Sequence, residues 1–275
     1  MNRINCLLFL LLVTQLSNAQ PAIPADSTIA KYFTRGAELH SIFSPEWGAW
    51  IDKGLKENPR IGYLWQMRAM PYFKQRKYEA GMAYLDKGVE CDTTLLPYRA
   101  FIKCIFAKTY EAALSDFALS RKKWGNSSVM DHGFDFYTGL CYLQLNRFRE
   151  ALALFQKQTD PSGPSQHQLE LFYLGIAYYE LQQYNDAIKA FDRSLAVYPR
   201  FSDVKYFKGK CLLLLNREEK GLLLIREAKQ DFLDGYTVNE DNSFYEPYPY
   251  QVNWKLVHIR CSVTLPHERI CYTTH

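Results

Sequence analysis

Gly139, Gly175 and Gly209 stand 36 and 34 residues apart, and each begins the same spaced set of small and large side chains. A period of this length marks a chain built from stacked copies of one small unit. In the sharpest copy, Leu171 to Pro199, the set is Leu174, Gly175, Tyr178, Ala187, Phe191, Ser194 and Pro199. Its physical sense is a pair of antiparallel helices. Gly175 on the first helix, with Ala187 and Ser194 on the second, allows close approach, while Leu174, Tyr178 and Phe191 fill the space between. Pro199 stops the second helix, because proline lacks the N–H that a helix interior needs.

The copy before it carries Gly139, Tyr142, Ala151 and Phe155, and the copy after it Gly209, Leu212, Gly221, Ile225 and Ala228. Tight turns fall at matching places, as Asn146-Arg147-Phe148, Gln182-Gln183-Tyr184 and Asn216-Arg217-Glu218. Upstream the pattern loosens. Trp65, Ala69, Tyr72, Gly81, Leu85 and Gly88 outline another unit, in which Pro71 is expected to kink the first helix. Asp52-Lys53-Gly54-Leu55 before Pro59 reads as the end of an earlier second helix, and Tyr98 to Ser120 as a degenerate unit. Helicity is expected to break at Lys123–Ser128 and at Asp160–Pro164. The whole predicts an all-α array of five to six units over residues 28–235, because one helical pair cannot bury both of its faces alone.

This pattern resembles the tetratricopeptide (TPR) repeat family, sharply in three units and loosely in the others. The resemblance implies a right-handed superhelix of antiparallel helix pairs whose inner surface, lined by the first helix of each unit, grips a protein or peptide. Carried over position by position, the inner surface is Phe136, Leu140 and Leu143, then Phe172, Ile176 and Tyr179, then Tyr206, Lys210 and Leu213, with Gln66, Met70 and Phe73 upstream. TPR domains that clamp a C-terminal carboxylate place Lys, Asn and Arg where this chain has Phe136, Leu140, Phe172 and Ile176, so that clamp is not expected. An apolar groove suits an amphipathic helix or an aromatic-rich strand. Phe and Tyr at helical spacing equally suit a buried core, and a register shift of one residue exchanges the two roles.

Residues 236–275 break the period. Tyr245, Tyr248, Tyr250 and Trp254 surround Pro247 and Pro249, and two prolines so close favour extended chain over helix. This segment is expected either to fold back over the last repeats as a cap or to serve as a mobile aromatic ligand for another protein. The remainder carries Cys261, Cys271, His258, His267 and His275 at no zinc-ligand spacing, so a short strand pair or a poorly ordered end is expected.

The N-terminus has its own logic. Arg3 precedes an apolar run from Cys6 to Val13, and Ser17-Asn18-Ala19 supplies small residues, the order of a secretory signal with the mature chain starting at Gln20. Residues 1–19 are therefore expected to be removed on export to the periplasm or the exterior. The character resembles exported TPR proteins of Bacteroidetes. No later run is apolar enough to span a bilayer. Cys104, Cys141 and Cys211 fall in apolar helical stretches and read as small core residues, leaving Cys261 and Cys271 able to pair.

Net charge is +4 without a block of like charges, so a nucleic-acid surface is not indicated. No GxSxG, HExxH, P-loop or GxGxxG occurs. No catalytic residue, metal ligand or cofactor is expected. Asp131-His132 reads as a helix-capping region, and Asp231, Asp234, Glu240 and Asp241 as an acidic patch without calcium-loop spacing. The partner expected is a protein or peptide; a structural subunit of an envelope or secretion complex is the alternative, and an enzyme with an unfamiliar site a third.

Overall fold

A computed structural model of the chain describes residues 26–160 and 167–253 in full, and 259–264 and 269–273 as backbone. The N-terminal signal-like stretch and Trp254 lie outside the described residues. Twelve α-helices follow one another among those described. They form six antiparallel pairs: α1 (Asp26–Glu38) with α2 (Pro45–Glu57), α3 (Gly62–Lys74) with α4 (Tyr78–Cys91), and α5 (Leu96–Ile105) with α6 (Tyr110–Trp124). After them come α7 (Phe134–Gln144) with α8 (Phe148–Gln158), α9 (Gln168–Glu180) with α10 (Tyr184–Val197), and α11 (Ser202–Leu214) with α12 (Glu218–Leu233).

The turns that join each pair share one chemistry. From the second pair onward the helix closes on a residue with positive φ: Arg76 at 60°, Lys108 at 55°, Asn146 at 58°, Gln182 at 59° and Asn216 at 57°. The next N–H then reaches back across the turn, Arg147 to the Tyr142 carbonyl at 2.8 Å and Gln183 to Tyr178 at 2.9 Å. This six-to-one bond satisfies a helix-end carbonyl that would otherwise lack a partner. Within a pair, contact is close where glycine stands. A Cβ on Gly175 would lie 2.3 Å from the Phe191 ring, and one on Gly139 2.6 Å from Phe155.

Successive pairs stack mainly by the second helix of one on the first helix of the next, α6 on α7, α8 on α9 and α10 on α11, and the first helices also touch one another, α5 with α7, α7 with α9 and α9 with α11, as the second helices do not. The first helices therefore form the inner layer of a TPR-like superhelix. Its core is nearly continuous: one cluster runs from Ala69 to Val252 and another joins α1, α2 and α3. Helix α3 runs on through Pro71 to Lys74. Cys104, Cys141 and Cys211 are buried free thiols.

Two places depart from helical pairing. Strands β1 (Ser128–Val129) and β2 (His132–Gly133) form a small antiparallel turn between α6 and α7. His132 belongs to this turn, and α7 begins behind Gly133 without a side-chain cap, so the expected capping role of Asp131-His132 is corrected. Beyond α12 the chain folds back over the array, and its last described elements, β3 (Ile259–Thr264) and β4 (Arg269–Thr273), pair antiparallel with Cys261 opposite Cys271.

Candidate functional site: the inner face and its strap

Residues 237–252 form a strap across the inner layer. One carboxylate holds both of its ends. Asp203, at the start of α11 and fully buried, accepts from the Val238 N–H at 3.2 Å and the Thr237 hydroxyl at 2.7 Å. Its other oxygen accepts from the Val252 N–H at 2.6 Å. Burial raises the Asp203 pKa, and the Val252 N–H and the Thr237 hydroxyl oppose that rise. Sequence reasoning missed this residue, since Asp203 occupies the place that Leu169 fills in the preceding unit.

Between its pinned ends the strap reaches back to the second helical pair. Tyr245 lies under Lys74, whose ammonium is 4.0 Å from the ring centroid, and its carbonyl accepts from Arg76 at 3.2 Å. Glu246 is buried and sits between two cations, 3.2 Å from Arg76 and 3.3 Å from Lys108. Burial raises the Glu246 pKa, and the Arg76 guanidinium opposes it. The two cations are the turn-closing residues of the second and third pairs. The bend that gives them positive φ also brings them to the groove.

Past Pro247 the chain turns at Pro249-Tyr250, where Tyr250 takes a φ of 60°, and the inner helices supply its floor. Tyr173 donates from its hydroxyl to the Pro249 carbonyl at 2.8 Å. Tyr250 packs edge-on against Phe207, with ring centroids 5.9 Å apart. Tyr248 is 3% exposed and faces Tyr137, and burial drives the pKa of both phenols upward. Two floor groups are left without a well-formed hydrogen bond although both are buried: the Tyr137 hydroxyl and His132 Nε2. The His132 nitrogen is 3.3 Å from Glu240 of the strap, and its ring stacks on Phe136 at 3.9 Å.

The residues read as groove-lining divide differently. Phe136, Leu140, Leu143, Phe172, Ile176 and Tyr206 are buried within the main core cluster and present no open surface. Phe136 packs on Phe155, and Phe172 on Phe191 and Phe201. The floor beneath the strap is made by the next residue along in each unit, Tyr137, Tyr173 and Phe207. Tyr179 and Lys210 are half-buried neighbours, with the Lys210 ammonium 5.2 Å from the Tyr179 ring centroid. Of the expected tail residues, Tyr245, Tyr248 and Tyr250 all lie in the strap.

The acidic patch is partitioned. Asp231 and Asp234 are both paired to Arg200, and Lys205 also reaches Asp231. Glu240 turns toward His132 instead. Among the described residues no group of three or more His, Cys, Asp or Glu is placed to hold a metal ion.

A second surface lies at the array's beginning, where α1 is the first of the described helices. Tyr32, Leu39 and Phe43 are exposed there, and a groove of about 690 Å³ lined by Lys31, Arg35 and Arg60 runs between α1 and the start of α3.

Antiparallel helix pairs of this kind, stacked in succession with their first helices inward, define a tetratricopeptide-like repeat protein. Residues 168–201, the unit built on Gly175, match the family model for the tetratricopeptide repeat. No curated protein matches the chain. Among solved structures, a tetratricopeptide repeat protein from Parabacteroides merdae is similar at 14% identity with a TM-score of 0.62, over 75% of this chain and 79% of that one. PilW, described as a widely conserved type IV pilus biogenesis factor, aligns at 13% identity with a TM-score of 0.61, over 77% of this chain and 96% of its own. The C-terminal part of a TPR repeat-containing protein from Cytophaga hutchinsonii aligns at 14% identity and a TM-score of 0.56, over 75% and 80% of the two chains. At these identities the likeness is one of fold.

Proposed function

We propose that this chain is an exported scaffold that holds a protein or peptide partner along its inner face. One observation carries the reading: the face already holds a returning run of polypeptide, residues 238–252, with a short 3-10 turn at Asp241–Phe244, by ionic, aromatic and backbone contacts. A surface that holds one segment of polypeptide suits another. Export is inferred from the charged, apolar, small-residue order of residues 1–19, and the setting proposed is the periplasm or exterior of a Bacteroidetes-like cell. The reading assigns no catalytic step to the chain.

A second reading, a structural subunit of an envelope or secretion complex, is favoured by the exposed Tyr32, Leu39 and Phe43 around the first described pair. The two readings separate on which surface is protected. Hydrogen exchange of the chain with its partner from the exported fraction should slow at Tyr137, Tyr173 and Phe207 under the first and at α1 under the second. Export is tested by N-terminal sequencing of the protein made in its own cell. A chain beginning at Gln20 in the exported fraction is expected; an uncleaved cytosolic chain sinks that part.

A further inference from the structure

The strap is held by chemistry that specifies more than shape. Its tip offers one carboxylate, Glu246, to two cations drawn from different repeats, and an aromatic ring, Tyr245, to a third. These cations, two of them partly exposed, place positive charge at one end of an otherwise aromatic floor, which favours an anion there. The floor meets the strap with polar groups as well: the buried His132 Nε2 lies 3.3 Å from Glu240, and the buried Tyr137 faces Tyr248. The strap's ends are fully engaged on Asp203.

We propose that the tip of the strap, residues 240–250, is a resident stand-in for the natural ligand. It would swing out from its Asp203-held ends to admit a Tyr/Pro-rich peptide carrying an acidic side chain for Arg76 and Lys108. This deepens the inner-face reading and rests on it. The chemistry follows from the subsites: a carboxylate between Arg76 and Lys108, an aromatic ring under Lys74, and a backbone carbonyl for the Tyr173 hydroxyl. Proline suits the ligand because it restricts the free chain before binding, which lowers the ordering cost. Exchange of the strap between two copies is the less suitable source. Both strap ends return to Asp203 of the same α11, so a swap must break the anchors and the tip contacts together.

A tethered competitor lowers the apparent affinity for any outside ligand by the fraction of time the groove is open. The probe is a fluorescent synthetic peptide copying residues 242–252, titrated against the full chain and its variants. Glu246→Lys sets a third cation against Arg76 and Lys108 and releases the tip, so it should bind the probe at least about tenfold more tightly than the unaltered chain. Adding Arg76→Glu and Lys108→Glu should abolish the gain. A probe with Gln in place of its Glu should bind about tenfold more weakly, the loss of one charged hydrogen-bond pair. Hydrogen exchange at 240–250 of the unaltered chain should quicken when the probe is in excess, while Val238 and Val252 stay protected.

Where Glu246→Lys loses its helical circular dichroism, Tyr245→Ala serves as the releasing variant instead. No binding by a folded released variant, or equal binding of the Glu and Gln probes, overturns the ligand class. The same released variant is incubated with the exported fraction. A partner captured there and lost on Tyr173→Ala leaves the inner-face reading intact while the acidic Tyr/Pro ligand fails. If neither probe nor partner binds, the inner-face reading falls as well.

Discussion

Two neighbouring residues in one unit should respond oppositely to small changes. Gly175 has no room for a methyl group, because Phe191 fills the space 2.3–2.8 Å from where its Cβ would stand. Gly175→Ala should cost about 1–3 kcal/mol, the usual penalty of overpacking, read as a lower urea midpoint. Gln182, seven residues on, holds φ at 59° with a side chain that the left-handed conformation disfavours. Gln182→Gly should stabilise by roughly 0.5–1 kcal/mol after the extra freedom of the unfolded glycine is subtracted. A fall in stability there would mean the side chain contributes more than its backbone strain costs. The glycine was legible in the sequence, since a small residue recurring opposite a large one is what close helix packing requires. The orientation of the aromatic pairs was not. Phe136-Tyr137, Phe172-Tyr173 and Tyr206-Phe207 each place two rings side by side, so spacing alone could not decide which faces the core. Both rings of a pair are buried, and Tyr173 stacks on Phe155 as Phe136 packs on it; the reach of the Tyr173 hydroxyl to Pro249 is what marks it as floor.

At the scale of the element, α9 has an unusual beginning. His167 precedes it, and its Nδ1 accepts from the Leu169 N–H at 3.3 Å, which requires the neutral ring with its proton on Nε2. Burial lowers the His167 pKa, and the nearby His132 lowers it further, while Glu240 and Asp131 oppose both. A histidine whose folded pKa lies below its unfolded value of about 6.5 contributes stability above that pH. The contribution is lost as the pH falls through the folded value. His167→Asn keeps a side-chain oxygen able to cap the helix and cannot protonate in this range. The unaltered chain should therefore lose stability relative to His167→Asn as the pH falls below about 6.5. Urea midpoints that keep a constant difference across pH 5–8 would refute the assignment. The helix pairs themselves were legible because each unit repeats its own punctuation, a turn before Phe148, Tyr184 or Glu218. The cap at His167 was not, because histidine has no strong preference for that place and its role depends on the ring's proton.

At the scale of the molecule a stacked array must cover its last pair, and the strap does so here. Val238, Tyr248 and Val252 belong to the same core cluster as the helices, so the strap is part of the fold as well as a cover for the inner face. From sequence the segment's break with α-helix could be read off Pro247 and Pro249, but not the 3-10 turn at Asp241–Phe244 that takes the place of extended chain. Its course could not, because that depends on a single buried carboxylate, some 34 to 49 residues upstream of the groups it binds. Asp203→Asn tests that dependence with almost no change of volume. The amide keeps one acceptor oxygen but turns N–H groups toward a neighbouring donor, either Val252 N–H or the Val238 and Thr237 pair. One strap end must then lose its bond or leave. The expected cost is about 1–3 kcal/mol, with faster hydrogen exchange at 237–252 and little change in the helices of the first three pairs. Because burial raises the Asp203 pKa, the folded chain takes up a proton there more readily than the unfolded one. Its ionised form opposes folding at neutral pH, and that opposition is relieved as the pH falls through the raised value. The substitution should remove this relief, so the stability gap between variant and parent should widen on mild acidification. A gap that stays constant, with unchanged exchange at Val238 and Val252, would mean the strap is held elsewhere and Asp203 is only buried beneath it.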